Sequence, residues 1–307
     1  MRAGSFYPVN AMAEDFTLTN LELRDSTETG EAAAGLSHAS MKGMFLLTVL
    51  ELAARGEPRG AVTVLHDAGD SGARYTDLAA SLAEAGWAVA LPDMRGHGQT
   101  EGPRGHSAGL KEVWRDVEEI QNHLAYRMPD DPKVLVGQGL GALYALSYAL
   151  EKPGSLAAIV LVAPLHEPSF SRPAPPAGLK KLLGKKPKGD DPGSVGYRGD
   201  QLTRDGARAA AWASADGTHD VITLRAIDQA EEAARDYLPR VAETGIPVLV
   251  LHGEDDPISD VAKSQALSGD GVTVQTLPGM RHHPLQEADS GSVHSAITTW
   301  LDEALTR

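Results

Sequence analysis

The 307-residue chain contains no cysteine. Disulfides, thiolate metal sites and cysteine nucleophiles are therefore excluded, and a reducing compartment is permitted. Basic residues are scarce: 28 Lys and Arg stand against 42 Asp and Glu, for a formal charge of −14. A field of that sign repels phosphate, which argues against general binding to DNA, RNA or anionic membranes. No apolar run approaches the ~18 residues of a membrane helix. The N-terminus also lacks the charged-then-apolar pattern of a secretory signal. The expectation is a soluble, cytoplasmic protein. Aromatic residues make up only 5% of the chain, and Trp87, Trp114, Trp212 and Trp300 read as packing residues rather than a binding platform.

What the chain does have is regular punctuation. With 42% hydrophobic residues and 32 glycines, it suits one globular domain with an insertion, or two small domains. Short β-rich runs lie at 44–52, 61–65, 87–92, 133–137, 157–163, 246–253 and 272–278, and "FTLTNLELR" (16–24) reads as an edge strand. The middle runs lack polar alternation, as expected of parallel strands covered on both faces. Helical patterns separate them. Leu110, Val113, Val117, Ile120 and Leu124 form one apolar stripe, and Val293, Ile297, Trp300, Leu301 and Leu305 form another.

The predicted architecture is α/β, a mostly parallel central sheet with helices on both faces. Between 164 and 244 the rhythm breaks into a stretch rich in Pro, Gly and Lys, followed by a long helical pattern from 220. That gap is too long for an ordinary connection. The expected division is an irregular segment with the edge strand at 1–43, a core at 44–163 and 245–307, and an inserted cap or lid at 164–244.

The stretch that concentrates the chemistry is "KVLVGQGLGALYA" (133–145): a strand, glycines at 137, 139 and 141, then helix formers. Strand, G-x-(nucleophile)-x-G and helix make the nucleophile elbow of α/β hydrolases, whose acid and histidine follow in that order. Downstream lie "HGEDDPIS" after one strand and "MRHH" after the next; upstream, "VTVLHDAGDSGARY" stands where an oxyanion loop leaves its strand. With "RGHGQTEG" (95–102) and H-x-A-G-x-x-x-x-R-Y (66–75), the chain resembles the monoacylglycerol lipase and lysophospholipase group of the α/β hydrolases from about residue 44 onward.

The resemblance implies an acid at Asp256, with Asp255 as competitor, and a base at His282, with His283 as the less favoured alternative. It implies oxyanion donors in the backbone N–H groups of Ala68 and Leu140, flanked by His66 and Gln138. Two positions depart from the family pattern. Gly139 stands where the family has serine, and Asp67 where its oxyanion loop has glycine. Glycine keeps the strained turn but removes the nucleophile. With no Cys in the chain and no Asp at 139, the elbow offers no covalent route. Ser71 is a conceivable substitute, though nothing in the sequence aims it at His282. Asp67 either opposes charge in the oxyanion hole or points away and leaves the backbone donors intact.

Other readings are weaker. "GQGLGA" matches a loose dinucleotide fingerprint, but the next strand ends without the acidic residue that would hold a ribose. Lys180, Lys181, Lys185, Lys186 and Lys188 form a basic run that reads as a solvated loop, with weak membrane-surface contact as the functional alternative. His66 reads as a packing residue with ligand contact as the alternative. No metal-ligand spacing occurs, and no cofactor is expected.

Three functions remain open. The first is an enzyme that uses His282 and Asp256 as a base-only pair on a small ester, carbonyl or acyl compound, by water activation, elimination, isomerisation or cyclisation. The second is an inactive pseudo-hydrolase that binds a small apolar ligand or a protein partner. The third, a conventional carboxylic-ester hydrolase, needs either a different elbow alignment or serine as the natural residue at 139.

Overall fold

The computed structural model describes residues 15–24, 44–174, 186–212, 214–215 and 217–305. Most of the lysine run, including Lys180, Lys181 and Lys185, lies outside the described residues, whereas Lys186 and Lys188 are exposed. Along the chain come β1 (Phe16–Arg24), β2 (Met44–Leu52), β3 (Ala61–Leu65), α1 (Thr76–Glu84), β4 (Ala88–Pro92), α2 (Leu110–Arg127), β5 (Lys133–Gln138), α3 (Leu140–Glu151) and β6 (Ala158–Val162). They are followed by β7 (Pro192–Ser194), β8 (Val221–Thr223), α4 (Leu224–Tyr237), β9 (Val248–Gly253), β10 (Val272–Leu277) and α5 (Ser290–Leu305).

Eight strands form one sheet in the order β1-β2-β4-β3-β5-β6-β9-β10. β1 and β2 pair antiparallel at one edge, and every pair from β4 to β10 is parallel. β3, β6 and β9 are buried along their whole length, because helices cover both faces. Leu78 and Leu82 of α1 pack with Val293, Ile297 and Leu301 of α5 on one face. Val113 and Val117 of α2, Leu143 of α3 and Ile227 of α4 form the core on the other. This is the α/β-hydrolase arrangement expected from the sequence. Among the described residues, no helix is long and apolar enough to cross a membrane.

The long helical pattern from 220 divides. The β-branched residues Val221, Ile222 and Thr223 form β8, which pairs antiparallel with β7, and the helix begins only at Leu224. It gives way at Leu238 to a 3₁₀ segment with Pro239 in its first turn, ending at Gly245 in a left-handed conformation.

The close approach of α3 to the sheet depends on Gly141. A Cβ there would run into the backbone carbonyls of Leu65 and His66 at the end of β3. Helix N-terminus and loop 66–69 are thereby held against each other. Gly141→Ala is expected to destabilise the fold by about 1–3 kcal/mol through overpacking, measured by urea unfolding. Unchanged stability would mean that α3 can move away from β3 without loss.

Candidate active site

β5 ends at Gln138, and the chain turns at Gly139 (φ 56°, ψ −112°) into α3. A residue bearing a side chain would be strained in that conformation by about 1–3 kcal/mol; glycine avoids the Cβ clash. A second constraint acts on the same position. A Cβ built on Gly139 would fall within the carboxylate of Asp67, far closer than real atoms approach. The space beside the elbow is filled from the opposite loop.

Asp67 therefore points inward, which settles the direction that its sequence left open. Its Oδ1 accepts hydrogen bonds from the N–H groups of Ala68 (2.7 Å) and Leu140 (2.8 Å). These are the two donors expected of an oxyanion hole. The amide of Leu140 opens α3, so the positive end of that helix dipole also favours the carboxylate. The other oxygen, Oδ2, lies 3.1 Å from Nε2 of His282 and 3.1 Å from Nε2 of His283.

His282 is held from its other side. Its Nδ1 is 2.7 Å from Oδ2 of Asp256, whose Oδ1 accepts from the N–H groups of Ile258 (2.8 Å) and Ser259 (3.1 Å). Asp255 is exposed, so of the two candidates Asp256 is the partner of the histidine. Gln138 does not face the Asp67 carboxylate: its Nε2 donates to the carbonyl of His282 (2.8 Å) and so pins the histidine loop to β5. His66 spends both ring nitrogens on backbone, on the carbonyl of Asp67 and the N–H of Met94, in keeping with a packing role. Ser71 Oγ is buried, is not bonded to His282, and has no partner among the described residues.

Residues that sequence reasoning missed extend the network. His252, at the end of β9, places Nε2 2.9 Å from Oδ2 of Asp256 and Nδ1 2.7 Å from Oγ of Ser264, which in turn lies 2.8 Å from Nε2 of His166. The stretch "LHG" before the acid was their one sequence signal. The segment after β6 supplies a cover: the Tyr197 ring meets His282 edge-on at 5.6 Å, and the Trp212 ring meets His283 the same way at 5.6 Å. Both histidines are wholly buried. A cavity of about 540 Å³ lies elsewhere, lined by β1, β2 and α2 around Glu51 and His123.

Both ring nitrogens of His282 face carboxylate oxygens, so the geometry calls for a proton on each. Burial, the largest influence, disfavours that cation, but Asp256 and Asp67 outweigh it and push the pKa up to about 10. Burial likewise raises Asp67, yet its bonds to His282 and His283 prevail and hold it below the usual carboxylate range. Asp256 is held low against burial by the charge of His282 and its bonds to His252 and His282. Asp67 and Asp256 thus bracket His282 and favour its protonated form.

The model of the serine aminopeptidase S33 family matches residues 56–289. The chain belongs to this family. It is 27% identical over 250 residues to the monoacylglycerol lipase of Mycolicibacterium smegmatis, covering 80% of this chain and 89% of the relative. Homo sapiens monoglyceride lipase is 34% identical over 110 residues, 36% of each chain. Among solved structures, the Paleococcus ferrophilus monoacylglycerol lipase superposes with a TM-score of 0.68 at 25% identity, over 83% of this chain and 98% of that one. A soluble variant of the Saccharomyces cerevisiae monoglyceride lipase gives 0.76 at 18% identity, over 98% and 99%, and shares the fold. This S33 member is thus an α/β hydrolase of the lipase and esterase lineage, in its monoacylglycerol lipase-like group.

A pKa raised on folding contributes stability that is complete below the unfolded value, ~6.5 for histidine. That contribution disappears as pH rises through the folded value of about 10. Urea unfolding of the wild-type protein and His282→Gln across this range is expected to show a decline in the wild type that the variant lacks. Parallel profiles would contradict the imidazolium assignment.

Proposed function

We propose that this chain acts on a small ester, carbonyl or acyl compound without an acyl-serine intermediate, using Asp67, His282 and Asp256 to move protons. One observation carries the reading: the Asp67 carboxylate takes both amide donors and the space beside Gly139. An acyl-enzyme needs a hydroxyl at the elbow and a vacant pair of donors for the oxyanion. Neither is compatible with Asp67 as it lies.

The base-only reading of His282 changes accordingly. An imidazolium is an acid, so His282 would give its Nε2 proton to a developing oxyanion while Asp67 receives a proton from carbon or from water. Elimination, isomerisation, cyclisation and water addition need no more than that pair and a shaped pocket. Acid–base help is typically worth ~10²–10⁴-fold, so substrate positioning must supply much of the rest. In this reading residues 164–244 act as the cap that shapes the pocket, and Tyr197 and Trp212 withdraw to admit substrate. His252, Ser264 and His166 hold Asp256 and connect it toward the surface.

The complete burial of His282 and His283 favours a second reading, an inactive pseudo-hydrolase that keeps the network because half of a buried ion pair is costly to remove. His282→Ala separates the two. It abolishes turnover in an enzyme and leaves ligand affinity largely intact in a binding protein.

A fluorophosphonate probe is expected to leave the wild-type protein unlabelled. Gly139→Ser alone should also fail to label, because the new side chain meets Asp67. Gly139→Ser combined with Asp67→Gly clears the donors and should gain labelling. Strong labelling of the wild type, or of Gly139→Ser alone, would overturn the proposal.

A further inference from the structure

We propose that Asp67, His282 and His283 form a binding site for a divalent transition cation of the zinc class. The sequence gives no hint of it, since the three residues match no metal-ligand spacing; the fold alone brings the loop after β3 to the loop after β10. One ligand atom from each residue lies within 4.8 Å of the others. Oδ2 of Asp67 stands 3.1 Å from both Nε2 atoms. A tetrahedral cation with bonds of ~2.0–2.1 Å sets neighbouring ligand atoms about 3.4 Å apart. The two contacts of Asp67 are already close to that spacing.

Charge points the same way. Two carboxylates, Asp67 and Asp256, lie within bonding distance of His252, His282 and His283. Net negative charge held away from water is unfavourable. A dication between Asp67 and the two imidazoles would offset the charge of both carboxylates. Two imidazoles and one carboxylate are also the donor set that such cations take at catalytic sites, where a fourth position remains for water or substrate.

The surroundings fit a ligand set. His282 keeps its Nδ1 proton on Asp256, the carboxylate–histidine support that orients metal-bound imidazoles. Ala68 and Leu140 fix the free oxygen of Asp67. His283 is fully buried, yet its Nδ1 has no partner among the described residues. Nε2 directs its proton at Asp67 in the metal-free site; moving that proton to the unbonded Nδ1 turns the Nε2 lone pair toward a cation.

This inference rests on the reading of Asp67 as the central carboxylate, and it is tested without substrate. The full chain, stripped with chelator, is titrated with Zn²⁺ by calorimetry and with Co²⁺ by visible absorption. One equivalent should bind, the Co²⁺ form should show the intense bands of low coordination number, and Zn²⁺ should raise Tm. Asp67→Asn and His283→Gln, checked for folding by circular dichroism, should each weaken binding at least tenfold, while His123→Gln, a histidine paired with Glu51 at a distance, should not. No binding to the wild type, or binding indifferent to both substitutions, would overturn the site. His282-dependent turnover in metal-free protein would then leave the acid–base reading standing. Saturable binding with no turnover would instead count against that reading and support the site.

Discussion

A single carboxylate organises the centre of this molecule. Asp67 reaches from the loop after β3 into the bend between β5 and α3, where the amides of Ala68 and Leu140 grip one oxygen and the imidazoles of His282 and His283 meet the other. Gly139 is the complement of that reach. An elbow side chain and the Asp67 carboxylate claim the same volume, so the two positions are read as one feature. The anion lies at the N-terminus of a helix, in reach of an imidazolium and sheltered from water, where each of those attractions is strongest.

The rest of the fold holds that meeting in place. Gly141 lets α3 approach the end of β3, which aligns its first amide with Ala68. Asp256, held by two backbone amides and by His252, fixes the far side of His282. Gln138 ties the histidine loop to β5. Partial removal of such a network leaves a charge buried without its partner, typically at a cost of about 3–5 kcal/mol. This explains why the arrangement can persist whether or not it turns over substrate.

Much of the fold was legible in the sequence. The central strands lack polar alternation because both faces are covered, and the stripes of α2 and α5 repeat at helical steps, so local pattern and tertiary environment agree. The edge strand at 16–24 and the elbow at 137–141 were equally plain. Less could be read where tertiary contacts decide. "DVITL" continues a helical pattern on paper, but its β-branched residues pair with β7. Asp67 sits in a loop whose side-chain direction no periodicity encodes. The Ser264–His166 extension carries no motif, and Tyr197 and Trp212 come from the irregular stretch where pattern reading has least purchase.

The protonation of His282 in metal-free protein at neutral pH bears most directly on this centre. Imidazole ¹H–¹⁵N spectra, assigned through His282→Gln, report it without substrate. Two slowly exchanging ring N–H signals are expected from His282, and the Nε2 signal should vanish in Asp67→Ala. A single ring proton, unaffected by that substitution, would show that the Asp67 carboxylate does not engage His282.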